Sequence, residues 1–146
     1  MYGFTAPLYR LGRNFCVDAP VAVSVALGDG TFIQVAGRAN GATFSTTLVP
    51  RGGGAHRLFL DGAARRAAAT AEGESVAVEL RRDGPDPPLP EELTDALQRN
   101  EGTPEAFALL PPGLRREMIR YVTDAKREAT RVARIEQAID ELRRRA

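Results

Sequence analysis

Arg127, Arg131 and Arg134 stand at i, i+4 and i+7 in Lys126-Arg127-Glu128-Ala129-Thr130-Arg131-Val132-Ala133-Arg134, a spacing that lines one face of a helix. A row of guanidinium groups suits phosphate or carboxylate partners, because each planar fork binds an oxyanion bidentately. Two structural uses compete with binding. One is a solvated face in which Glu128 and Glu136 relieve the Arg127–Arg131 repulsion; the other is a network of ion pairs reaching the first half of the chain. Upstream, Arg51-Gly52-Gly53-Gly54 offers backbone N–H groups and one charge to an anion. No Gly-Lys-Ser/Thr follows it, so it is not a P-loop, and the competing use is a flexible hairpin connection.

His56 is the only histidine and Cys16 the only cysteine. A histidine ionises near neutral pH and can act as a general base. His56 has no serine or cysteine beside it and no neighbouring acid to orient it, so it is expected as an exposed surface residue. Cys16, between Phe15 and Val17, reads as a small strand residue rather than a nucleophile. A single cysteine excludes an internal disulfide and a cysteine-based metal cluster. Scarce histidine and cysteine argue against a zinc enzyme or a Ser-His-Asp hydrolase. Glu91-Glu92 reads as the start of a helix, not as an acid–base pair. No catalytic residue, metal or cofactor is assigned.

The elements that must position these residues are those of a chain of 146 residues and 15.8 kDa. No apolar run approaches the roughly 18 residues of a membrane span. The N-terminus has no basic patch followed by an apolar core, which makes the cytoplasm the expected compartment. Twenty basic and nineteen acidic side chains leave a formal charge of +1. All the basic residues but Lys126 are arginine, a bias that goes with the heavy use of alanine and a GC-rich genome. Residues 1–111 carry an excess of acid and residues 112–146 an excess of base, so the first half is read as acidic. Four prolines between Pro85 and Pro90 cannot continue a helix or a central strand. They divide the chain into residues 1–84, a linker at 85–88, and residues 89–146.

Alternating apolar residues make the first part β: Phe4, Ala6 and Leu8; Phe15 and Val17; Ile33 and Val35; Phe44, Thr46 and Leu48; Leu58 and Leu60; Val76, Val78 and Leu80. Asn40-Gly41 fits a tight hairpin turn, and Gly62 to Ala71 a short helix. Val21 to Leu27 alternates as a strand would, yet Asp18 as a cap, Pro20 in a first turn and Gly28 after the end favour a helix. About six short strands with Gly-rich turns predict a small barrel. The second part reads as four helices. The first runs from Glu91 to about Arg99. The second is capped by Thr103, with Pro104 at its first position. The third carries the stripe Leu114, Met118, Ile119, Val122 and Ala125. The fourth carries Ile135, Ile139 and Leu142, with Val132 and Ala138 beside them. Four short helices make a thin core alone and are expected to pack on the barrel.

The order of motifs resembles the bacterial bacteriocin-protection, YdeI/OmpD-associated family, with an N-terminal barrel of the domain-of-unknown-function 1905 type. The residues that carry the likeness run from Val35-Ala36-Gly37-Arg38-Ala39-Asn40-Gly41 through Pro50-Arg51-Gly52-Gly53-Gly54 and Glu72-Gly73-Glu74-Ser75-Val76 to Pro90, Leu93 and Ala106-Phe107. Its most specific stretch is Arg115-Arg116-Glu117, Tyr121-Val122 and Ala125-Lys126, closing with Thr130-Arg131 and Arg134-Ile135. Glu74 stands where the family often has Asp, and the proline common before the Thr-Arg pair is missing. The resemblance implies an α+β fold: a small double-split-type β-barrel of the kind used by AbrB/MazE-type transcription factors, followed by a C-terminal α-helical segment. It also makes Arg115, Arg116 and Lys126 family-matching basic residues around the arginine row.

The expected function is a non-enzymatic binding module linked to antimicrobial or stress resistance. Its partner would be a small anionic or amphiphilic ligand, or a protein. The candidate ligand residues are Arg51, Arg115, Arg116, Lys126, Arg131 and Arg134. Two alternatives stand beside it: an AbrB-like nucleic-acid binder, disfavoured by the acidic first half and the lack of aromatic-basic interleaving, and an enzyme built on arginine and carboxylates. A monomer or a homodimer is expected.

Overall fold

Leu8 is the only residue between β1 (Tyr2–Pro7) and β2 (Tyr9–Leu11), yet these strands occupy opposite ends of a seven-stranded sheet of order β1-β7-β4-β5-β6-β3-β2. A sheet whose two end strands are consecutive in the chain has to curl back on itself, and the result is barrel-like. In the computed structural model, residues 1–28, 31–83 and 89–146 are described; the expected linker at 85–88 lies outside the described residues. The chain divides into two compact units, Met1–Gly84 and Pro85–Ala146.

In the first unit every strand pairing is antiparallel. The remaining strands are β3 (Asn14–Ala19), β4 (Ile33–Ala39), β5 (Ala42–Gly52), β6 (Ala55–Leu60) and β7 (Ser75–Arg82). The short β2 is one strand more than the six expected. Leu8 is fully buried and is pinned on both sides: its N–H donates to the Glu74 carbonyl, and its carbonyl accepts from Gly73 N–H. Val17, Val35, Leu48, Leu58, Leu60, Val76, Val78 and Leu80 alternate along their strands and share one core.

Asn40 and Gly41 both hold positive φ (50° and 85°), the pair of angles a two-residue hairpin turn demands. Gly53 and Gly54 (63° and 79°) make the same kind of turn between β5 and β6, so the expected flexible loop is an ordered hairpin. The alternating segment after Pro20 is indeed a helix, α1 (Val21–Leu27), but Pro20 stands at its cap position. Asp18 remains in β3 and does not cap it. Helix α2 (Gly62–Ala67) is shorter than expected. Asp61 caps it through Ala64 N–H, and Ala69, forced to φ 51°, ends it.

The second unit holds α3 (Glu91–Arg99), α4 (Thr103–Ala108), α5 (Pro112–Thr123) and α6 (Glu128–Arg145). Ile135, Ala138, Ile139 and Leu142 form the buried stripe of α6, and Val132 is exposed. Two expectations fail locally. Gly102, at φ 82°, caps α4, while the buried Thr103 turns its hydroxyl back to the Leu97 and Asn100 carbonyls. On α5 the buried face is set by Arg115, Ile119 and Val122, and Leu114 lies outside.

Candidate functional site

The arginine row is the first place to look for a site, and the structure binds most of it into the helical unit. Arg127 is the cap residue of α6, in extended conformation, and so does not join the face of Arg131 and Arg134. Arg131 donates from Nε to Glu92 Oε1 at 3.2 Å and from Nη1 to the Lys126 carbonyl at 3.1 Å. Arg134 donates to the Tyr121 carbonyl at 2.8 Å and lies over the Tyr121 ring. These bonds join α6 to α3 and to the end of α5. Lys126 is exposed and Arg116 half-buried.

Arg115 is only 2% exposed, and its Nη1 donates to the Leu110 carbonyl at 2.6 Å and to the Ala108 carbonyl at 3.3 Å. Those carbonyls end α4, where the helix leaves its last acceptors unmet. Pro111 and Pro112 can supply no N–H there, and the side chain of Arg115 does so instead. The residue thus closes a helix end from inside.

Arg51 belongs to the barrel unit. Pro50 pairs with His56 and Gly52 with Ala55, so Arg51 is the extra residue of a β-bulge. It reaches Asp18 at 3.1 Å. Asp18 Oδ1 accepts from the Tyr9 hydroxyl at 2.5 Å, and the Tyr9 oxygen accepts from Arg57 Nε at 3.1 Å. The register explains the gathering: Tyr9 faces Cys16 and Asp18 faces Arg57 across neighbouring strands, all on one side of the sheet. Burial, and then the bond to Asp18, push the Tyr9 hydroxyl well above its ordinary pKa. Burial likewise pushes the Cys16 thiol up. Both groups therefore stay protonated at neutral pH, the opposite of an activated nucleophile or base. No local sequence signal announces this cluster, since its members come from three strands and a bulge.

His56 is fully buried, contrary to the expected surface position. Its Nε2 pairs with the Thr31 carbonyl. Among the described residues its Nδ1 has no hydrogen-bond partner. The alternation His56-Leu58-Leu60 was the available signal, since it puts the imidazole on the inward row of β6.

Two grooves open on the helical unit. One, of about 370 Å³ between α3 and α6, is lined by charged residues including Asp95, Arg99, Glu136 and Asp140. The other, of about 400 Å³ between α5 and α6, has an apolar floor of Leu110, Leu114, Met118 and Ala138. Its rim carries Glu117, Tyr121, Gln137, Glu141 and Arg145. The Tyr121 hydroxyl donates to Gln137 Oε1, and hydrogen bonds from Arg144 and Arg145 hold the Glu141 carboxyl below its usual pKa. Leu114 and Tyr121 are 38% and 43% exposed, enough to offer apolar surface to a ligand. Neither groove was read from the sequence; Leu114 and Met118 were placed in the core stripe.

The charge division also changes once the units are known. Met1–Gly84 holds nine basic and seven acidic residues, and Pro85–Ala146 eleven and twelve, so the barrel is basic rather than acidic. Among the described residues no cluster of three or more His, Cys, Asp or Glu side chains is placed to hold a metal ion, and no helix is long and apolar enough to cross a membrane.

Comparison with protein families gives two matches. Residues 4–80 match the domain of unknown function 1905, and residues 86–145 match the family described as bacteriocin-protection, YdeI or OmpD-associated. Among curated proteins none matches the chain.

Proposed function

We propose that this chain, which belongs to the family of the domain of unknown function 1905 and joins that domain to a YdeI- or OmpD-associated segment, is a non-enzymatic binding module for an amphiphilic ligand. The family description supplies the setting, bacteriocin protection, and the chain would serve it by sequestering rather than by transforming its ligand. The reading rests on the groove between α5 and α6. Its size falls in the range of small-molecule sites, and its floor is apolar and includes the adaptable Met118. Glu117 stands on the rim as an exposed carboxylate, while Glu141 is paired with Arg144 and Arg145. An apolar chain with a cationic head fits the apolar floor and the exposed Glu117 carboxylate, since Arg145 on the same rim is already paired with Glu141, whereas an anion would have to compete for Arg131 and Arg134 with the carbonyls they already hold.

A titration of the whole protein with dodecyltrimethylammonium below its micelle concentration tests this, read by tyrosine fluorescence. Saturable binding is expected. Leu114→Asp should weaken it by about tenfold or more, the worth of one leucine side chain removed from the contact. Glu117→Gln should weaken the cationic chain and leave an uncharged detergent unaffected. Equal binding by wild type and Leu114→Asp would refute the reading.

A further inference from the structure

Two arginines of the barrel unit, Arg10 and Arg65, lie over Phe15, and a third, Arg66, reaches Gly62 beside Arg65. Phe15 is half-buried on β3 against the core, and Arg10 on β2 is its cross-strand partner. The guanidinium carbon of Arg65, on α2, lies 4.1 Å from the centre of the Phe15 ring, and that of Arg10 lies 5.9 Å from it. The two cations are therefore about 10 Å apart or closer, within about one Debye length at ordinary salt. Arg66 joins them at Gly62. A methyl group added to Gly62 would lie 3.1 Å from Arg66 Nη1 and 3.8 Å from Arg65 Nη2, so both guanidinium groups curl over the missing side chain.

Each of the first two is fixed by one bond to a carbonyl: Arg10 Nε donates to Gly12 at 2.9 Å and Arg65 Nη1 to Leu60 at 2.8 Å. A guanidinium carries five N–H donors, so most remain for a ligand. The nearest acid in sequence, Asp61, is engaged at the start of α2 through Ala64 N–H. Like charges held this close repel one another, and an anion between them relieves the repulsion. Ring stacking and carbonyl bonds hold the Arg10 and Arg65 forks in place beforehand, which removes part of the entropic cost of binding.

We propose that Arg10, Arg65 and Arg66, gathered around Phe15 and Gly62, form a binding site for a phosphate group. Three guanidinium forks offer more donors than the two oxygens of one carboxylate can use, and a tetrahedral phosphate presents more acceptors.

The test is a titration of the isotope-labelled full chain with inorganic phosphate at constant ionic strength, read from the arginine side-chain N–H signals. The Arg10, Arg65 and Arg66 signals are expected to move together and to saturate. Arg10→Gln should weaken binding by about tenfold, the usual loss for one charge-assisted bond. Gly62→Ala is the sharper variant. Its methyl would stand 3.1 Å from Arg66 Nη1 and crowd that guanidinium while alanine favours the helix, so phosphate affinity should fall with the melting temperature unchanged or raised. Absence of saturation, an equal response to chloride, or undiminished affinity in both variants would overturn the site. So would an oligonucleotide that binds with a steep salt dependence while inorganic phosphate does not saturate.

Discussion

Arg134 holds Tyr121 at two points: its guanidinium carbon lies 4.6 Å from the centre of the tyrosine ring, and its Nη1 donates to the Tyr121 carbonyl at 2.8 Å. The contact ties α6 to the last turn of α5. Removing it in Arg134→Ala should cost about 1–2 kcal/mol, combining a cation–π contact with a hydrogen bond to a charged donor. Urea unfolding of the whole chain measures this, and an unchanged midpoint would show the contact to be ornamental.

Arg115 should prove the most costly arginine of the helical unit. Arg115→Ala leaves the buried Ala108 and Leu110 carbonyls without their donor and opens a cavity, a loss of about 3 kcal/mol or more. Lys126→Ala, at an exposed position, should stay within about 0.5 kcal/mol of wild type. Parallel denaturant titrations of the two variants give the comparison directly.

Two glycines of the barrel separate two physical demands. A Cβ at Gly37 would lie 1.8 Å from the Glu79 carbonyl oxygen, so β4 and β7 must part for Gly37→Ala to fold, at a cost of about 1–3 kcal/mol or more. Gly41 has open space but a φ of 85°, and there Gly41→Val should cost about 1 kcal/mol through backbone strain. Thermal unfolding of both variants tests the pair.

The Tyr9 network gives a pH dependence with a definite sign. The folded pKa of Tyr9 lies above its unfolded value of about 10, so the native state holds the proton longer. Its contribution is complete below pH about 10 and is lost as the pH climbs from there toward the folded value. Wild type should therefore lose stability between neutral and strongly alkaline pH more steeply than Tyr9→Phe does. Parallel slopes in urea midpoints would contradict the network.

His56 supplies a last comparison. His56→Ala removes a buried ring and the partner of the Thr31 carbonyl, so the melting temperature should fall by several degrees. A surface histidine would leave it unchanged.

Where the sequence was legible, the signal was local. Asn40-Gly41 announces its turn because only a few residues accept positive φ, and Ile135, Ile139 and Leu142 announce a buried helix face by spacing. Where it failed, a tertiary partner decided. Leu114 and Arg115 exchange the sides their hydropathy suggests, because carbonyls at the end of α4 await the guanidinium. Asp18 gives up its capping role to Tyr9 and Arg51, which lie on strands that meet it only after folding. Three-residue β2 is too short to show a period. The α5–α6 groove and the arginines around Phe15 depend on elements distant in sequence, and no spacing rule brings them together.

The position of Leu8 bears on how this protein avoids self-association. Open sheet edges invite strands from other molecules and seed aggregates. Here the two outermost strands are successive stretches of chain joined by one buried residue, so the two edges are tied together at Leu8. One of those edges, β2, is only three residues long and offers an incoming strand few groups to pair with. Loosening that tether, by inserting a few glycines after Leu8, should therefore expose the edges and make the chain prone to form fibrils long before it unfolds.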